Sequence, residues 1–63
     1  MNICLLTIDY YITAIENGIS KFEAQDMALN KLRDLRCNLN YVDATILREC
    51  EVTCDIINRL TNI

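Results

Sequence analysis

Sixty-three residues with no proline and one glycine, Gly18, leave the backbone almost no place to turn sharply. Glycine and proline are the strongest punctuation a sequence carries, so the one corner that can be read has unusual weight. It lies in Asn17-Gly18-Ile19-Ser20-Lys21-Phe22-Glu23. Gly18 can take the left-handed conformation that closes a helix C-terminus. Ser20 followed by Glu23 has the spacing of a capping box, in which each side chain satisfies an orphan backbone N–H at a helix start. Ile19 and Ala24 occupy the staple positions on either side of that cap, alanine being a weak staple. One helix therefore ends and a second begins within about three residues.

Ahead of the corner, Cys4, Leu5, Ile8, Tyr11, Ile12, Ile15 and Ile19 fall at three- and four-residue spacings. Asn2, Asp9, Thr13 and Glu16 share the opposite side, which describes an amphipathic helix with the first set facing the core. A strand is the competing reading, since Cys4-Leu6-Ile8-Tyr10-Ile12 alternates and Ile, Thr and Tyr favour strands. The helix accounts better for the polar positions. Its start falls between Ile3 and Thr7, and Thr7 is itself a candidate N-cap.

The second helix is expected from Lys21 to about Cys37, on a stripe of Ala24, Ala28, Leu32, Leu35 and Leu39. Met27 flanks the stripe on one side, and Phe22 and Leu29 on the other. This arc covers more than half the circumference, wider than a helix with one neighbour requires. Glu23 and Asp26 near its start and Lys31, Arg33 and Arg36 toward its end suit the helix dipole. Asn38 to Val42 reads as a connector. A third helix then starts near Tyr41 to Asp43 and runs to about Leu60, with Ile46, Leu47, Cys50, Thr53, Cys54, Ile57 and Leu60 toward the core. Val52, Ile56 and Ile63 form a separate line on another face, bordered by Arg48, Glu49 and Arg59. The expected fold is all-α: one domain over residues 1–63, made of a helical hairpin plus an N-terminal helix and completed by homodimerisation.

The dimer is expected because the chain is 52% apolar. A domain of about 60 residues buries only roughly 60% of the surface its unfolded chain exposes, so the surplus calls for a second protein surface. The residues left over from the core stripes, and so expected to bind protein, are Leu6, Tyr10, Phe22, Leu29, Val52, Ile56 and Ile63. Aligned exposed hydrophobics point to a contact face more than scattered ones do.

Composition weakens the alternatives. No histidine is present, which removes the usual neutral-pH proton shuttle. One glycine is too few for a phosphate-cradling loop. Glu51 and Asp55 are a turn apart, but with Arg59 a further turn on they read as a salt-bridged surface row. No catalytic activity and no cofactor is expected. The cysteines Cys4, Cys37, Cys50 and Cys54 lack the close pairing of structural zinc ligands except in the last pair, and they read as free thiols acting as small hydrophobes. The N-terminal Met1-Asn2-Ile3-Cys4-Leu5-Leu6 has no basic flank and Asp9 interrupts it, so neither a secretory signal nor a membrane span is expected. The cytoplasm is the expected compartment.

A helix-turn-helix DNA-binding regulator is the alternative. Thr13 to Ser20 has a small residue four before the glycine and an apolar residue after it, as such turns often do. Against it, the helix that would enter the groove opens with Glu23 and Asp26 beside a single Lys21, and the net charge is −3. Only Lys31, Arg33 and Arg36, with Arg48, could attract phosphates. The favoured function is a non-catalytic protein-binding module, a regulator, inhibitor or adaptor, acting on a protein partner and on itself.

Overall fold

A computed structural model describes residues 2–39 and 44–63, the side chains of residues 38 and 39 excepted. It contains α1 (Ile3–Glu16), α2 (Lys21–Leu39) and α3 (Ala44–Thr61), each packed against the other two. The first helix starts at the early end of the expected range. Asn2 caps it, its Oδ1 accepting a 3.1 Å hydrogen bond from the Leu5 backbone N–H. Thr7 is not a cap. It lies inside the helix and is fully buried, its hydroxyl donating to the Ile3 carbonyl at 2.8 Å.

The corner carries the expected glycine cap and the serine half of the expected capping box. Gly18 holds φ +88°. The Ile19 N–H reaches back to the Ala14 carbonyl at 3.1 Å and the Gly18 N–H to the Ile15 carbonyl at 3.0 Å, the paired bonds of a Schellman motif. Ser20 Oγ accepts from the Glu23 N–H at 3.3 Å, opening α2. A Cβ added at Gly18 would meet nothing within 4 Å, so the cost of a side chain there is purely conformational. Gly18→Ala is expected to lower unfolding stability by about 1–2 kcal/mol, measured by urea titration; an unchanged midpoint would contradict it.

α2 extends to Leu39, two residues beyond the expected end. The expected connector therefore contributes Asn38 and Leu39 to the helix, and its remainder, with the expected start of the third helix at residues 41–43, lies outside the described residues.

Two buried clusters lie along the bundle. One joins Tyr11, Ala14, Ala24, Ala28 and Ile57; the other joins Ile3, Leu32 and Cys50. These pairings make α1 and α3 parallel, with α2 antiparallel to both: Ile3 at the start of α1 meets Cys50, and Tyr11 further along reaches Thr61. The Tyr11 and Thr61 hydroxyls are 3.2 Å apart. Thr61 spends its own proton on the Ile57 carbonyl at 2.8 Å, so Tyr11 is the donor between them. Ala24 and Ala28, with no side chain beyond Cβ, let α1 and α3 approach α2 closely.

The inward face of α1 matches the expected one in part. Tyr11 is buried and Ile8 and Ile19 pack on its cluster as expected, but Ile3, Thr7 and Ala14 complete the buried face, whereas Leu5 is 65%, Ile12 46% and Ile15 40% exposed. On α3, Cys50, Thr53 and Ile57 are inside as expected, but Leu60 is exposed and Thr61 is buried in its place. Threonine is tolerated inside because a helix offers its hydroxyl the carbonyl four residues back. Thr7, Thr53 and Thr61 all use it. Among the described residues, no buried side-chain polar atom lacks a partner.

Candidate protein-binding face

Helical geometry and three cross-links between helices fix which surface each apolar row occupies. On one edge of α1, Tyr10 faces α2, where Lys31 Nζ lies 5.7 Å from its ring centroid. Leu6, one turn back, shares that edge and is exposed. On α3, Asn58 faces α2, its Oδ1 accepting a 2.6 Å hydrogen bond from Gln25 Nε2. The other edges of α1 and α3 therefore flank a common seam.

Leu5, Ile8, Ile12 and Ile15 line the α1 side of that seam at spacings of three, four and three residues. This is the pattern that lets a helix lay a continuous apolar strip on a neighbour. Val52, Ile56 and Leu60 line the α3 side, and Ile63 follows at 87% exposure, its carbonyl accepting a 2.7 Å hydrogen bond from Lys21 Nζ. Ile8 packs partly on the Tyr11–Ile57 cluster, and Ile56 is half-buried. The others are open to solvent.

Of the residues expected from sequence to bind protein, Val52 and Ile56 thus share one face, and Ile63 lies exposed two residues beyond the end of α3. Leu6 and Tyr10 lie across α1 from it. Phe22 is 65% exposed at the start of α2, beside Lys21. Leu29 packs partly on the core and lines a separate open cleft of about 700 Å³ between α2 and α3. The seven residues form no single patch. Leu5, Ile12, Ile15 and Leu60, which sequence reasoning assigned to the core, complete the α1–α3 face.

The charges around this face are segregated. Asp9 and Glu16, the two ionisable side chains of α1 besides its thiol and phenols, lie beyond the Leu5–Ile12 row. Arg48 and Arg59 lie beyond Val52 on α3. Arg59 is paired with Asp55 at 3.0 Å, both largely exposed, a geometry that adds little stability. Glu49 is half-buried on the α3 side.

The other candidate chemistries are dispersed. Arg33 and Arg36 line the α2–α3 cleft together with Glu51 and Asp55, while Lys31 is on the opposite side of α2 at Tyr10. The basic cluster is therefore split between two faces and partly offset by acids. The four cysteines are free thiols. Burial pushes the Cys50 thiol above its ordinary range, with Arg36 opposing the shift and Glu49 and Cys54 adding to it. A thiol held protonated is a poor nucleophile and a poor metal ligand. Among the described residues, no three His, Cys, Asp or Glu side chains gather to hold a metal ion, and no helix is long and apolar enough to cross a membrane. No protein-family model, curated protein or solved structure matches the chain.

Proposed function

We propose that this chain is a non-catalytic helical protein-binding module, a small regulator, inhibitor or adaptor, and that it binds through the α1–α3 face. One observation supports this above the rest: three threonines occupy the core while Leu5, Ile12, Ile15 and Leu60 stand outside it. Each threonine in place of an isoleucine gives up on the order of 1 kcal/mol of apolar burial. A chain selected only to fold alone would gain by exchanging the two sets. A chain whose outer isoleucines are covered by another protein gains from them where they are.

The face also has the form that helix-on-helix recognition uses, with apolar anchors at three- and four-residue intervals along two adjacent helices. Photo-crosslinking in the native host tests the reading. A photoreactive residue in place of Ile12 is expected to give a covalent protein adduct, of any identity, whereas one in place of exposed Asn30 on α2 gives none. Absence of an adduct at Ile12, or equal yields at the two positions, would refute it.

A further inference from the structure

We propose that the occupant of the α1–α3 face is a second copy of this chain, related by a two-fold axis running along the bundle. In that pairing α1 of each copy lies on α3 of the other. The inference rests on the protein-binding reading of the face and adds the identity and geometry of the partner.

Register is the first argument. α1 and α3 run parallel, with Ile3 at the level of Cys50 and Tyr11 at the level of Thr61. A two-fold axis along the bundle preserves those levels while exchanging the helices. Leu5 then meets Val52 of the other copy, Ile8 meets Ile56 and Ile12 meets Leu60. Each of these apolar side chains finds an apolar counterpart without sliding the helices.

Charge is the second argument, and it selects between the two symmetric ways of closing the face. The rim beyond α1 is acidic, Asp9 and Glu16; the rim beyond α3 carries Arg48 and Arg59, with Glu49 half-buried on the α3 side. With the axis along the bundle, the acidic rim of each copy lies along the α3 rim of the other, and Asp9 comes within about half a turn of Arg59, while Glu16 and Arg48 lie at opposite ends. An axis across the bundle instead stacks α1 on α1 and α3 on α3, setting acid against acid and arginine against arginine. Like-charge juxtaposition is a strong discriminator between otherwise similar interfaces. Asp55, already bonded to Arg59, lies on the outer side of that rim, so Arg59 can bridge it and the incoming Asp9.

Area is the third. At roughly 150–180 Å² for a fully exposed aliphatic residue, the open fractions of Leu5, Ile12, Ile15, Val52 and Leu60 come to about 400 Å² per chain. Two copies would cover about 800 Å² at these residues, and the half-buried Ile8 and Ile56 with the flanking Asp9 and Arg59 bring the total to the ~1,000 Å² at which specific interfaces begin. The face is large enough for one second copy and leaves little uncovered.

Sedimentation equilibrium of the purified chain between about 1 and 100 μM tests the proposal, with helicity by circular dichroism as the folding control. The wild type is expected to be a dimer at the upper end. Ile12→Asp is expected to weaken dimerisation by more than about 100-fold while the monomer stays helical, since Ile12 is outside the core. Asp9→Arg and Arg59→Glu are each expected to weaken it by about tenfold. The double variant Asp9→Arg/Arg59→Glu is expected to restore most of the loss, because the exchanged charges face each other again. A wild-type monomer at 100 μM overturns self-pairing. If the Ile12 crosslink nevertheless forms, to a different protein, the face is a binding site for that protein and only the self-pairing fails. A dimer in which the double variant is weaker than either single one overturns the orientation.

Discussion

Truncating Ile57 to alanine is expected to cost about 2–5 kcal/mol, enough to populate the unfolded chain substantially at 25 °C, because this side chain is fully buried where all three helices meet. Ile57 belongs to the cluster formed by Tyr11 and Ala14 of α1 and by Ala24 and Ala28 of α2. Three of its four buried neighbours are alanines, so the space can be refilled only from the partly buried Ile8, Ile19, Met27 and Leu29 packed around the cluster. How far those side chains relax into the cavity sets where in that range the cost falls. Small single cores rarely supply more than about 3–5 kcal/mol, so the loss approaches the whole stability of the protein. Ile56→Ala, one residue away and half-buried, is expected to cost under about 1.5 kcal/mol at a protein concentration where association is negligible. Urea unfolding followed by helical circular dichroism measures both, and comparable losses at the two positions would contradict the assignment of Ile57 as the keystone.

The opposite perturbation at the same place should be nearly as damaging. Ala28 is fully buried on α2, and Ala28→Leu adds three carbons into the cluster shared by all three helices. Overpacking a filled site costs typically 1–3 kcal/mol. Helix axes that pack 8–10 Å apart must then separate or tilt, and the Tyr11–Thr61 hydrogen bond is the first contact a wider α1–α3 spacing would break. Asn30→Leu, two residues on and exposed, adds comparable bulk toward solvent and is expected to change stability by no more than about 0.5 kcal/mol. The difference between the two variants, by thermal or urea unfolding at one fixed concentration, isolates the packing contribution. Equal effects would mean that α2 is not wedged between its neighbours at Ala28.

Those alanines, and the corner before them, were legible in the sequence for a simple reason: their signals are local. Gly18, Ser20 and Glu23 act on backbone groups within a few residues, and Ala24, Ala28 and Leu32 are the most apolar line α2 possesses. On α3, too, one side is distinct enough that Val52 and Ile56 separate from the core line by spacing alone. α1 defeats the same reasoning. Its line Leu5-Ile8-Ile12-Ile15 is more hydrophobic than Ile3-Thr7-Tyr11-Ala14, and hydropathy chooses the first. Periodicity says which residues share a face; it does not say which of two apolar faces turns inward. What decides is fit: Ala14 is small enough to sit against Ala24 and Ala28, Tyr11 reaches Thr61, and Thr7 can satisfy its hydroxyl within its own helix. The first depends on α2 and the second on α3, fifty residues away, so the hydropathy of α1 by itself does not reveal them. The same misreading hid half of the candidate face, since residues assigned to the core were not available to be placed on the surface.

The parallel return of α3 beside α1 also sets the order in which the molecule can assemble. The Gly18 corner brings α1 and α2 together across a very short stretch of chain, whereas contacts between α1 and α3 close a loop that includes all of α2. Loop-closure entropy grows with the length enclosed, so either sequential pair, α1–α2 or α2–α3, forms cheaply and the α1–α3 contact closes last. Local opening of a native protein draws on its least stable contacts. Leu5 and Ile12 travel with one helix of that last contact, Val52 and Leu60 with the other. The binding face consequently exists only while α1 and α3 stay seated side by side, and it is completed by the last folding step.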